Sequence, residues 1–288
     1  MISPTPPSQP DHGRPAPDPG AILPRSATLA AWLWAGAPDD RTQVAALRVI
    51  MHDDEPHQLR GDLPPGLTVD SLAALFHLWS GRLASVAALF PGPGDAMGVP
   101  AAVSAAAIEA EECVLVTLPA QASGGAGGDG VEHWALVPDV EPFGSALEPG
   151  FHVTWEVARV EAWENRALGT VGSLGEAERE LQRGLREATE ALMELDVSRW
   201  RDAAGEAIAA LREVVDLRPY LPPSLDPRRS HVFQSAARLR AIVDLATEDD
   251  GGAVNLWQAD QRSTALREVD RAARRAMSAA TLHTQLIP

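Results

Sequence analysis

Glu112-Cys113-Val114-Leu115-Val116-Thr117-Leu118 decides the fold class of this chain. The run is continuously apolar and β-branched, the pattern of a strand covered on both faces. Other strand patterns flank it. Glu132–Val137 is a short candidate. Phe151–Ala158 alternates, with Val153, Trp155 and Val157 facing one way and His152, Thr154 and Glu156 the other. Leu83–Phe90 reads as either strand or helix. A glycine-rich connection, Ser123–Gly130, separates the second and third strands. Links this short predict an antiparallel meander, because a parallel crossover needs a dozen or more residues.

Helical patterns lie on either side. Before the strands, Ser26 is placed to cap a short helix through Gly36. Asp39 and Asp40 are placed to cap Arg41–Met51, and Leu72, Leu75, Phe76 and Trp79 repeat at helical spacing within Val69–Trp79. Residues 26–165 therefore read as an acidic α+β domain with a small antiparallel sheet of about three to five strands and a few helices.

After them the chain turns helical. Ser173–Leu195 carries an apolar stripe of Leu181, Leu185, Ala188, Leu192 and Leu195. Ser198–Leu217 carries another, of Trp200, Ala204, Ile208, Leu211 and Val215, and Pro219, Pro222 and Pro223 stop it. Asp226–Pro227 supplies an N-cap and first turn for a third helix through Ala246. Asp249-Asp250-Gly251-Gly252 breaks that helix, and a fourth runs from about Val254 to Leu282. Four amphipathic helices on short loops predict an antiparallel C-terminal bundle over residues 166–288. Its long heptads also suit pairing between chains. Residues 1–25, with eight prolines before Arg25, read as a disordered tail.

Charge follows the same division. Residues 1–165 hold 7 Arg against 21 Asp and Glu; residues 166–288 hold 17 Arg against 19. There is no lysine: all 24 basic residues are arginine. That removes Schiff-base chemistry, the Walker A phosphate loop, the protein-kinase fold and Ser-x-x-Lys hydrolases. Codon bias in a high-GC genome is the simplest origin of the missing residue. The lone Cys113 forms no intrachain disulfide and favours a reducing, cytoplasmic setting. No run approaches the ~20 apolar residues of a membrane span.

Four places bear on chemistry. Asp53, Asp54, Glu55 and His57, with His52 beside them, are the weak candidates for a metal or an acid–base pair. An acidic surface turn is the ordinary reading of such a cluster. Pro91-Gly92-Pro93-Gly94-Asp95 resembles an anion loop, but its prolines remove donors and a rigid structural loop suits it better. Gly124–Gly128 lacks the G-x-G-x-x-G order of a dinucleotide site. Arg267, Arg271, Arg274 and Arg275 stripe the last helix and form the one plausible nucleic-acid footprint. Glu268 and Asp270 stand at pairing distance along that helix, and the acidic chain repels phosphate. His77 and His133 lie inside apolar runs, where a core histidine is the default. No cofactor motif is present.

Asp54-Glu55-Pro56-His57, Leu89-Phe90-Pro91-Gly92-Pro93-Gly94-Asp95 and Asn255-Leu256-Trp257-Gln258-Ala259-Asp260-Gln261-Arg262 resemble stretches of uncharacterised proteins of high-GC actinobacteria. The resemblance implies an actinobacterial, cytoplasmic origin and carries no activity, cofactor or fold. The resulting expectation is a non-enzymatic interaction or regulatory protein that contacts other protein, itself included, through the bundle or the seam between the halves. A metal-assisted hydrolase at Asp53, Asp54, Glu55 and His57 is the alternative. Nucleic-acid binding through the last helix comes third.

Overall fold

The computed structural model describes residues 23–52, 54–119, 130–145, 148–194, 217–248 and 256–285. In chain order, α1 (Arg25–Ala35) and α2 (Asp40–Met51) precede β1 (Gln58–Gly61), followed by α3 (Leu72–Trp79) and β2 (Ser85–Leu89). Then come α4 (Ser104–Ala110), β3 (Cys113–Pro119), the long strands β4 (Val131–Ser145) and β5 (Glu148–Arg159), and α5 (Glu164–Val171). The remainder is α6 (Leu174–Glu194), α7 (Pro227–Glu248), α8 (Leu256–Thr281) and a two-residue strand β6 (His283–Thr284).

Several ends obey local capping rules. Asp39 accepts from the Thr42 N–H, Ser71 from Ala74, and Asp226 from both Arg228 and Arg229. Ser26 does not cap α1, as the sequence suggested. The helix starts two residues earlier, at Arg25 after Pro24, and Ser26 is buried within its first turn.

The fold is α+β, and its six strands run in the order β1-β5-β4-β3-β2-β6. This corrects the expected all-antiparallel meander. β2, β3, β4 and β5 do form one, but β1 joins β5 in parallel, with Leu59 opposite Trp155. Residues 62–147 separate those two strands, which is ample chain for a crossover. Gly61 at the end of β1 has φ +98, and any Cβ there would strike the Val157 carbonyl.

At the opposite edge, β6 pairs with β2 although its residues follow the last helix. The Thr281 hydroxyl reaches further along β2 and accepts from the Ala88 N–H at 3.0 Å. All five residues of β2 are buried. An uncovered edge there would leave buried donors unpaired, and the C-terminal residues satisfy them.

Strand register sorts the side chains between the faces. Val86, Val116 and Trp134 share a face with His283. Trp34 of α1 stacks on His283 with centroids 4.7 Å apart, and Trp79 of α3 meets Trp134 at 5.9 Å. Thr117 and His133 point from the other face, where Glu164 of α5 meets them. α8 runs beside β2, and α6 and α7 pack against α8. The second of the four expected bundle helices, at 198–217, lies outside the described residues. One hydrophobic cluster runs from Leu23 through the sheet to Leu282.

β4 and β5 outrun their neighbours. β4 pairs with β3 only through Leu136, yet continues against β5 to Ser145. Val160 donates to the His133 carbonyl, so odd-numbered residues of β4 bond toward β5 and even-numbered ones away from it. Past Leu136 the outward positions are Pro138, Val140, Pro142 and Gly144. Proline supplies no N–H, so every second donor on that edge is missing.

Candidate functional site

The turn between α2 and β1 gathers most of the residues singled out for metal chemistry. The Asp54 N–H bonds to the Met51 carbonyl at the end of α2 and starts the turn. Arg25 then grips the Asp54 carboxylate with both Nε and Nη2, at 2.7 and 2.9 Å. His57 is fully buried, with Nε2 3.1 Å from Asp54 Oδ2 and Nδ1 3.1 Å from Trp155 Nε1.

An indole N–H only donates, so Nδ1 is an acceptor and the ring proton sits on Nε2, directed at Asp54. Burial raises the Asp54 carboxyl, but hydrogen bonds from His57 and Arg25 and the guanidinium charge outweigh it and hold the group at about 2. Each polar atom in this cluster is committed. An ion placed here must displace the guanidinium or break the contact with Trp155. Glu55 points to solvent while its backbone N–H bonds to the Phe151 carbonyl. Asp53 lies outside the described residues. Among the described residues, no three His, Cys, Asp or Glu side chains are grouped to hold a metal ion. The arrangement serves to pin the start of α1, the α2–β1 turn and β5 together.

The arginines of α8 are committed as well. Arg274, read from sequence as part of a solvent stripe, is buried instead. Its Nε bonds Asp270 at 2.7 Å and its Nη1 bonds the Phe90 carbonyl at 2.9 Å. Arg271 pairs with Asp95 and Glu268, and Arg275 with Glu180 of α6. Arg267 is exposed and also has an interaction partner.

The loop Pro91–Asp95 lies over Arg274, which passes beneath Gly92. Gly92 and Asp95 exchange backbone hydrogen bonds at 2.9 Å around Pro93–Gly94. Gly94 takes φ +78, as the third residue of a type II turn requires. The Gly92 and Asp95 N–H groups are thereby committed within the loop.

A groove of about 250 Å³ opens between α6 and α7. Leu181, Val232 and Leu239 form its apolar floor, with Glu178, Gln182, His231, Ser235 and Arg238 around it. The volume falls below the ~300–1,000 Å³ of small-molecule sites, and the polar groups surround the floor rather than converge on it.

One cluster escaped the sequence. Thr117 on β3 and His133 on β4 are direct cross-strand partners, and Glu164 opens α5 above them. Thr117 Oγ1 is 2.5 Å from Glu164 Oε1 and 2.9 Å from His133 Nδ1. The Trp163 N–H donates to Glu164 Oε2. The only advance signals were polar residues in apolar strands, which are ordinary features of a core. Cys113 on the same strand is chemically quiet: burial, reinforced by the neighbouring Glu112, pushes its thiol up to about 12.

No helix among the described residues is long and apolar enough to cross a membrane. Two family models match the chain, the N-terminal domain of Rv1486c-like proteins over residues 26–168 and the C-terminal domain over residues 175–278. Neither a curated protein nor a solved structure matches it. With both domains present in order, the chain belongs to the Rv1486c-like family.

Proposed function

We propose that this protein acts through association with other protein, with the α6–α7 groove as the contact surface and an apolar-faced helix as its occupant. The carrying observation is the groove itself: an apolar floor, a polar surround, and a volume suited to a few aliphatic side chains rather than a whole ligand. Helix-in-groove recognition uses residues spaced three and four apart, and a trough between two helices accepts that spacing. In this reading α6, α7 and α8, together with the amphipathic stretch 198–217, form the C-terminal bundle, and residues 26–165 form the α+β half beside it. The buried, unpaired Cys113 supports a reducing, cytoplasmic setting.

The two other readings lose their support at the atoms they need. Metal-assisted hydrolysis at Asp53, Asp54, Glu55 and His57 meets an imidazole whose two nitrogens already contact Asp54 and Trp155. Nucleic-acid binding through the last helix competes with internal partners, because Arg271, Arg274 and Arg275 bond to this chain.

A photo-cross-linking side chain at Gln182 or Ser235, with one at exposed Arg179 as control, tests the proposal. The expected product is a cross-link from 182 and 235, absent from 179, to one helical peptide of a partner or of a second copy. A groove substitution such as Ser235→Arg removes it. Cross-links confined to residues 195–216 of the same molecule, or equal from all three positions, overturn the proposal.

A further inference from the structure

We propose that His133 presents a reactive nitrogen, Nε2, to small carbonyl electrophiles, and that Glu164 acts on it through the Thr117 hydroxyl. The reasoning is proton accounting. An ionised carboxylate only accepts, and Thr117 has one proton to give. That proton goes to Glu164 Oε1, 2.5 Å away. Thr117 Oγ1 therefore meets His133 Nδ1 as an acceptor, across 2.9 Å, with Glu164 Oε1 farther off at 3.5 Å from the same nitrogen, and Nδ1 must carry the ring proton. In the neutral ring the lone pair is then on Nε2.

Nε2 makes no hydrogen bond to the described residues, while the His133 side chain is 15% exposed. Fixing the tautomer through the other nitrogen is how an imidazole is prepared as a ligand, base or nucleophile. His57 makes the contrast. Its two nitrogens are spent on Asp54 and Trp155, and its side chain is completely buried.

The step balances with groups in place. The Nε2 lone pair attacks the carbonyl carbon of diethyl pyrocarbonate, and the carbon–oxygen bond to ethyl carbonate breaks as that anion departs with the electron pair. The Nδ1 proton passes to Thr117 Oγ1 while the proton of Thr117 passes to Glu164. The products are a neutral carbethoxy-imidazole and a protonated Glu164, whose side chain is 24% exposed and returns the proton to water. Thr117 and Glu164 are positioning residues, and His133 alone touches the reagent. The inference is independent of the association reading, and neither fails with the other.

Diethyl pyrocarbonate labelling of the full chain, mapped histidine by histidine, tests it. His133 should label at a rate comparable to exposed His77 despite its burial, and His57 should stay unlabelled. Glu164→Gln should slow His133 roughly tenfold, the lower end of what removing the partner behind a metal-ligating imidazole costs. Thr117→Val should slow it similarly and Thr117→Ser should restore it. His57 reports on the fold throughout, since labelling there signals an opened core. Nitrogen NMR of the native protein should show a protonated Nδ1 and an unprotonated Nε2. An unprotonated Nδ1, a His133 as inert as His57, or an unchanged rate in folded Glu164→Gln would overturn the inference.

Discussion

At the scale of single residues, two groups tie stability to pH through opposite chemistry. Asp54 sits at about 2 in the folded chain against 3.8 as a free side chain. A depressed carboxyl contributes stability above its unfolded value and loses it as pH falls toward the folded one. About 2 kcal/mol should therefore disappear between pH 4 and pH 2. His283 is lowered from 6.5 to about 4, by burial first and then by the nearby charge of Arg229. The fold favours the neutral ring, so its contribution is complete above pH 6.5 and is lost on the way down to 4. That is roughly 2–3 kcal/mol, allowing for partial exposure. Urea unfolding across pH should show both windows. Asp54→Asn should flatten the lower one, and His283→Phe, which keeps a ring on Trp34, the upper one. Had the Asp54 loss survived in Asp54→Asn, the buried clasp with Arg25 and His57 would not be its source.

At the scale of elements, the edge-strand contacts and α8 show how distant segments are joined. Arg274 connects Asp270 to the Phe90 carbonyl at the end of β2, and it supports the Pro91–Asp95 turn from below. Arg274→Ala should cost roughly 2–4 kcal/mol, because it leaves a buried carbonyl and a carboxylate without their donor. Lysine at that position cannot span both acceptors and should recover only part of the loss in a thermal melt. The outer edge of β4 offers a second element-level prediction. Pro138 and Pro142 each remove an outward N–H from a strand with no neighbour on that side among the described residues. Replacing both with valine restores those donors and makes the edge a template for pairing. Concentration-dependent association should then rise in analytical ultracentrifugation. No change would mean that the twist of the ribbon, rather than its prolines, protects it.

At the scale of the molecule, the N-terminal half does not complete its own sheet. β2 is buried along its whole length, and its free edge is satisfied by Thr281, His283, Thr284 and the N–H of Gln285. The buried cluster continues from α1 and the strands into α6, α7 and α8. A fragment ending at residue 172 exposes the side of β2 that α8 covers. It should expose apolar surface, bind a hydrophobic dye and lack dispersed amide resonances, although it spans a complete family domain. A sharp, dispersed spectrum from that fragment would show that the halves fold separately.

How much of this was readable in advance follows from the range of each interaction. Helix starts at Asp39 and Asp226 were legible because a cap acts within three residues. The strand at 113–119 was legible because burial on both faces leaves an unbroken apolar run. β1 was not, since four residues paired in parallel leave no alternation to detect. β6 was not either, being two residues at the end of a helix. Asp54 and His57 were found as residue types, but the sequence does not contain the Trp155 and Arg25 contacts that commit them. The same limit hid Thr117 and His133, which strand register pairs, and Glu164, which α5 brings over them. The sequence by itself determined the α+β class, the lysine-free chemistry and the helix caps at Asp39 and Asp226, all set by composition or by neighbours a few residues apart. The tertiary structure decided the parallel edge, the closing C-terminal strand and the partners of His57 and His133. Those depend on groups far apart in the chain whose hydrogen bonds must all be satisfied at once.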